Sequence, residues 1–130
     1  LSILVVGSIA LDSIETPFGR VEEIPGGSAV YFSLAASYFS RVNVVGVVGN
    51  DFPVRVLKLL NKKGVNTEGV EVKQGKTFRW KGKYDFDLNT AHTLETQLNV
   101  FSDFLPLLPQ SYRSSKYVFL GNIHPDLQMR

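Results

Sequence analysis

The spacing of apolar and polar residues divides the chain into successive elements. Residues 1–9 form an apolar, β-rich run that predicts a central strand, ending at Gly7-Ser8 and leading to Asp12. Residues 13–24 alternate polar and apolar positions around Pro17 and Gly19, which predicts short strands or a hairpin that leave the main sheet. Gly26-Gly27 then marks a tight turn. The next stretch, residues 28–40, has no Gly or Pro and places apolar side chains on every side of a helical wheel, predicting a helix that is buried all round. A β-branched run over residues 42–48 reads as a parallel strand covered on both faces. Asn50-Asp51 followed by Pro53 predicts a capped helix start, with Val54, Leu57, Leu59 and Leu60 as its buried stripe and Gly64 closing it.

From residue 65 to residue 100 the pattern becomes alternating. Phe78, Trp80 and Tyr84 fall on one face, with Arg79, Lys81, Lys83 and Asp85 on the other. Leu94, Leu98 and Val100 repeat the alternation, so these residues predict antiparallel strands of a small second sheet with one wet side. A short helix broken by Pro106 and Pro109 follows. Residues 117–120 predict a third buried strand, and a further helix begins near residue 126. Strands alternating with helices place the chain in the α/β class, with a mainly parallel central sheet flanked by helices. Three strands seldom complete a doubly wound sheet, so the sheet is expected to be incomplete within residues 1–130.

Composition narrows the function classes. A hydrophobic content of 44% with 20% charged residues is ordinary for a globular domain. The net charge of +2 is too small to imply nucleic acid, and the aromatics and cations of residues 76–85 point in opposite directions. Without cysteine there is no disulfide framework and no thiolate nucleophile. The apolar runs fall short of a membrane span and the N-terminal residues lack the features of a signal peptide, so a cytoplasmic protein that meets no membrane is expected. His92 and His124 are far apart, which argues against a metal site. No P-loop, GxGxxG or HExxH pattern occurs. A dinucleotide-binding domain is disfavoured because Gly7 lacks the glycines that should follow it.

Candidate chemistry gathers where strands end, since ligands of open α/β sheets bind beyond the carboxyl ends of the strands. Asp12 follows the first strand and Asn122 the last, although either could instead cap a turn or a helix. Gly26-Gly27 lets a ligand approach bare amides, or simply makes a turn.

Four stretches, GSIALD at residues 7–12, PGGSAVYFSLAA at 25–36, VVGVVGND at 44–51 and GVNTEGV at 64–70, together resemble the N-terminal part of the ribokinase-like carbohydrate kinases, the phosphofructokinase-B family. The resemblance covers essentially the whole chain and implies one ribokinase-like domain, of which residues 1–130 are the sugar-binding part. It implies a lid of strands within about residues 13–25 and 66–100. It also implies substrate contacts from Asp12, Gly26, Gly27, Tyr31 and lid aromatics such as Phe78, with a homodimer through the lid as one arrangement. Tyr31 stands where the family usually has Asn, and Ala10 where many members carry another, so the substrate is expected to differ. The family's catalytic Asp belongs to a Gly-Ala-Gly-Asp turn that residues 1–130 do not contain, so no catalytic residue is assigned here. ATP and Mg2+ are implied for a complete kinase, neither held wholly by this segment. The substrate would be a sugar, a polyol or a nucleoside. The alternative is a sugar-binding or regulatory module without catalysis.

Overall fold

The computed structural model describes residues 1–130. Its strands are β1 (Ser2–Val6), β2 (Ala10–Thr16), β3 (Gly19–Gly26), β4 (Arg41–Gly49), β5 (Val65–Lys73), β6 (Phe78–Tyr84), β7 (Ala91–Gln97) and β8 (Tyr117–Leu120). Its helices are α1 (Ser28–Ala36), α2 (Val54–Lys62) and the single turn α3 (Pro125–Gln128). Of two 3-10 helices, Gln110–Ser114 stands within the stretch where the sequence predicts a broken helix, and Asn99–Asp103 precedes it, beginning where the alternating pattern ends.

The strands form two sheets, ordered β5-β4-β1-β8 and β3-β2-β6-β7. Every pairing in the first is parallel, so the main sheet has four strands in place of the three expected. β5 is the additional strand: its alternation had assigned it to the lid, yet it pairs with β4 from Val42↔Val65 to Gly49↔Lys73. An alternating pattern marks a strand with one covered face, and an edge strand of a parallel sheet satisfies that as well as a lid strand does. The second sheet is made of residues 10–26 and 78–97, two antiparallel hairpins joined by a parallel pairing of β2 with β6.

The main sheet is apolar on both faces because alternate residues of β1 and β4 serve different cores. Val5, Val42, Val44 and Val48 pack with Ala29 and Val30 of α1 and with Val56 and Leu60 of α2. Leu4, Val6, Val45 and Val47 face the other way, toward Phe104, Tyr112 and Ile123. Each of these buried valines contributes on the order of 1.5–3 kcal/mol relative to an exposed one. Gly46 leaves room for the Ile9 side chain, whose Cδ1 would lie 2.7 Å from an added Cβ.

Three expectations fail on burial. α1 is covered on one side only, through Ala29, Val30 and Ser33, while Tyr31 and Phe39 beyond its end are exposed. In α2 the buried residues are Val56 and Leu60, and Val54 and Leu59 face outward. β8 is an exposed edge strand in which Phe119 alone is half-buried, its ring stacked on Phe32 at 3.6 Å. Apolar composition marks which residues prefer cover, but the direction of each side chain decides which obtain it.

Candidate functional site

A groove of about 910 Å³ opens where β1 and β8 end beside the second sheet. Ser8, Phe78, Asn122, His124, Asp126 and Arg130 line it, together with residues 101–105 and their neighbours. One wall is aromatic: the Phe78 ring lies 5.1 Å from Phe101, which lies 5.7 Å from Phe104. Phe78 is placed there by the register of β6, which sets it opposite Ala10 of β2.

Ser28, the first residue of α1, joins three parts of the groove floor. Its hydroxyl oxygen accepts the amide N–H of Ser8 at 3.3 Å and that of Asn122 at 3.0 Å. In return the Ser28 amide donates to the Ser8 hydroxyl at 3.1 Å, and Ala29 donates to the Ser8 carbonyl at 3.0 Å. Ser8 therefore caps α1 from the connection between β1 and β2, doing what a local N-cap residue does elsewhere. Gly7 and Gly121 permit this crowding, since a Cβ on either would lie within 2.7 Å of the Ser28 oxygen.

Asp12 lies within β2, and its carboxylate presses on Gly26, where an added Cβ would collide with it. No protein donor comes within hydrogen-bond distance of that carboxylate, and burial raises its pKa above the ordinary value. Gly27 is held at φ 96°, a conformation that side chains disfavour, with the Ser8 carbonyl where a Cβ would stand. Gly27→Ala is expected to destabilise the fold by about 2–3 kcal/mol, through backbone strain and loss of the α1 start. Urea unfolding checks this, with Gly19→Ala as the control, since Gly19 also has positive φ but open space around it.

The expected site residues thus divide. Phe78 and Asn122 line the groove; Asp12, Gly26 and Gly27 do not, though Gly27 lies against Ser8, which does. Tyr31 is 55% exposed, on the outer side of α1, and no hydrogen bond reaches its hydroxyl. It follows Val30, which faces the sheet, and one residue turns a helix by about 100°. Among the other aromatics, Trp80 lies over Gly82 and donates to Thr93 rather than lining the groove.

No family model matches the chain. It is 27% identical over 131 residues to the cytidine kinase of Thermococcus kodakarensis, covering 100% of this chain and 46% of that protein. The ribokinase of Cryptococcus neoformans var. grubii, solved in complex with ADP, superposes with a TM-score of 0.73 at 20% identity, over 91% of this chain and 41% of that one. The nucleoside kinase of Methanocaldococcus jannaschii, an archaeal member of the ribokinase family, gives 0.64 at 17% identity, over 98% and 46%. The chain has the ribokinase fold. It spans less than half the length of each of these relatives.

Within this ribokinase fold a second polar centre ties the two sheets together, and sequence reading missed it. Asp51 does not cap α2; Pro53 occupies the N-cap position and no side chain caps there. Its carboxylate instead accepts the Thr77 amide at 2.9 Å and the Thr77 hydroxyl at 2.7 Å, and pairs with Arg79 at 2.8 Å. Thr77 is fully buried, and its hydroxyl accepts the Gly49 amide at 2.9 Å. Arg79 reaches on to Glu23 of β3 through Nε and Nη2. Burial alone would raise the Asp51 pKa, but the Thr77 hydrogen bonds and Arg79 outweigh it and hold the carboxyl below its ordinary value. These contacts clamp Phe78, which lies between Thr77 and Arg79 in sequence. An acid before a proline gave the sequence reading a plausible cap, and nothing local signalled a partner twenty-six residues away.

No helix is long and apolar enough to cross a membrane, and no group of three or more His, Asp and Glu side chains gathers to hold a metal ion.

Proposed function

We propose that this chain is the acceptor-substrate part of a kinase that transfers a phosphoryl group from a nucleoside triphosphate to a hydroxyl of a nucleoside. The observation that carries the reading is Asp12, a partly buried carboxylate with no protein donor, held against Gly26, the residue before the Gly27 N-cap of α1. An ionised carboxylate is acceptor-only, and hydroxyls are the donors a ribose offers it. Such charge-assisted bonds are about twice as strong as neutral ones.

The aromatic wall favours a nucleoside over a plain sugar, because Phe78 and Phe101 offer a face on which a base can stack. The names of two relatives, a cytidine kinase and a nucleoside kinase, point the same way. Phosphoryl transfer depends on positioning acceptor and donor in line and on stabilising charge. Residues 1–130 would position the acceptor; the nucleotide, its metal ion and a general base would be met by the remainder of a complete protein.

The test is ADP release by the complete protein with ATP and Mg2+, using cytidine, uridine and ribose as acceptors. Nucleosides are expected to turn over with higher kcat/KM than ribose. Stacking on an aromatic ring is worth roughly 1–3 kcal/mol, so Phe78→Ala should raise KM for cytidine about tenfold while changing that for ribose little. Absence of ADP release with every acceptor would leave a binding module without catalysis.

A further inference from the structure

We infer that Ser8 donates a hydrogen bond to an oxygen of the bound substrate, making it a specificity-determining residue. The inference rests on the nucleoside reading above and deepens it. It follows from counting protons and lone pairs at the base of α1.

The Ser28 oxygen has two lone pairs, and the amides of Ser8 and Asn122 occupy both. Its own proton must therefore point elsewhere, and the one acceptor within reach is the Ser8 hydroxyl oxygen at 3.3 Å. That oxygen already accepts the Ser28 amide at 3.1 Å. Both lone pairs of Ser8 are then filled by Ser28. The Ser8 proton is left over, with no other protein acceptor within hydrogen-bond distance. Ser8 is only 5% exposed and lines the groove, so the groove is where its proton can find an acceptor. A buried hydroxyl whose donor capacity is unused costs stability unless a ligand or water takes it.

The chemistry of the partner follows from the arrangement. Ser8 can only give a hydrogen bond, because its acceptor sites are full. Ionised Asp12 can only receive one. A ribose hydroxyl both donates and accepts, so it can meet either demand. A site built on such a contact discriminates against an analogue that lacks the hydroxyl, since the protein group is then left unpaired.

The experiment is calorimetric titration of the complete protein with cytidine and with its 2′-deoxy, 3′-deoxy and 5′-deoxy analogues, for wild type and Ser8→Ala. The expected result is that Ser8→Ala weakens cytidine binding by roughly two- to tenfold, the effect of one neutral hydrogen bond. One deoxy analogue should bind wild type and variant equally, because the oxygen that Ser8 contacts is already gone. Ser8 also caps α1, so Ser8→Cys is measured in parallel: the thiol fills the space with a slightly larger atom, is only a weak donor, and should weaken binding in the same ligand-selective way. Wild-type protein that binds none of the four ligands defeats the nucleoside reading and the inference with it. Binding unchanged by both variants, or weakened equally for all four ligands, defeats the inference alone and leaves Ser8 as a helix cap.

Discussion

Asp12→Asn in the complete protein is expected to raise the KM for the acceptor nucleoside about 10- to 100-fold while making the folded protein more stable at neutral pH. Hydrogen bonds to a charged group are worth roughly 1.5–3 kcal/mol, which sets the scale of the binding loss. The gain in stability has a separate origin. Asp12 is raised in the fold by burial, with no donor to offset it. A raised carboxyl contributes its full stability below the unfolded value, near pH 4, and loses it as pH rises through the folded value. At pH 7 the ionised group therefore opposes folding, and the neutral amide should recover part of that cost, the part that solvent does not screen. Urea unfolding at pH 7 and at pH 4.5 checks the sign: the advantage of Asp12→Asn should shrink toward the lower pH. An Asp12→Asn variant with wild-type KM and lowered stability would make Asp12 a structural residue instead. Loss of binding together with gain of stability is what a site prepared for a ligand shows.

The second large effect belongs to Asp51, and its sign is opposite. Asp51→Ala should cost about 2–4 kcal/mol, because it strands the buried Thr77 amide and hydroxyl and leaves Arg79 with Glu23 as its one carboxylate partner. The Asp51 pKa is lowered in the fold, so its contribution is present above the ordinary carboxylate value near pH 4 and is lost as pH falls through the folded value. The difference between wild type and Asp51→Ala should therefore be constant from pH 5 to 8 and narrow in acid. Arg79 and Asp51 are 23% and 29% exposed, so salt should reduce the effect only in part. Since Thr77 and Arg79 flank Phe78, Asp51→Ala should also weaken cytidine binding, whereas Glu23→Gln, at the exposed end of the network, should do so much less. Equal losses from both variants would show that the network holds the second sheet without setting Phe78.

The sequence alone was sufficient for the class of fold and for several of its turns and element ends. A β-branched run over β4, the Gly-Gly turn before α1 and the Gly64 stop after α2 each carry a local physical cause, and each stands where it was read. The resemblance of four short stretches to the ribokinase-like kinases is matched by the fold, because those stretches shape turns and strand ends of this chain. What the sequence could not decide is where polar side chains spend their hydrogen bonds. Asp51 carries every mark of a helix cap, yet its partners, Thr77 and Arg79, lie at the start of β6 in the other sheet. Ser28 reads as an ordinary first helical residue, and only the approach of Gly7 and Gly121 turns its hydroxyl into the junction of the groove. Tyr112, in a stretch read as a broken helix, buries its ring against Gly69 while its hydroxyl donates to the Asn66 carbonyl and accepts the Gly69 amide, at an irregularity in the β4–β5 register. Periodicity reports which face of an element prefers cover, a property of neighbours in sequence. Partners across the fold are set by how the elements pack, and no local pattern records that.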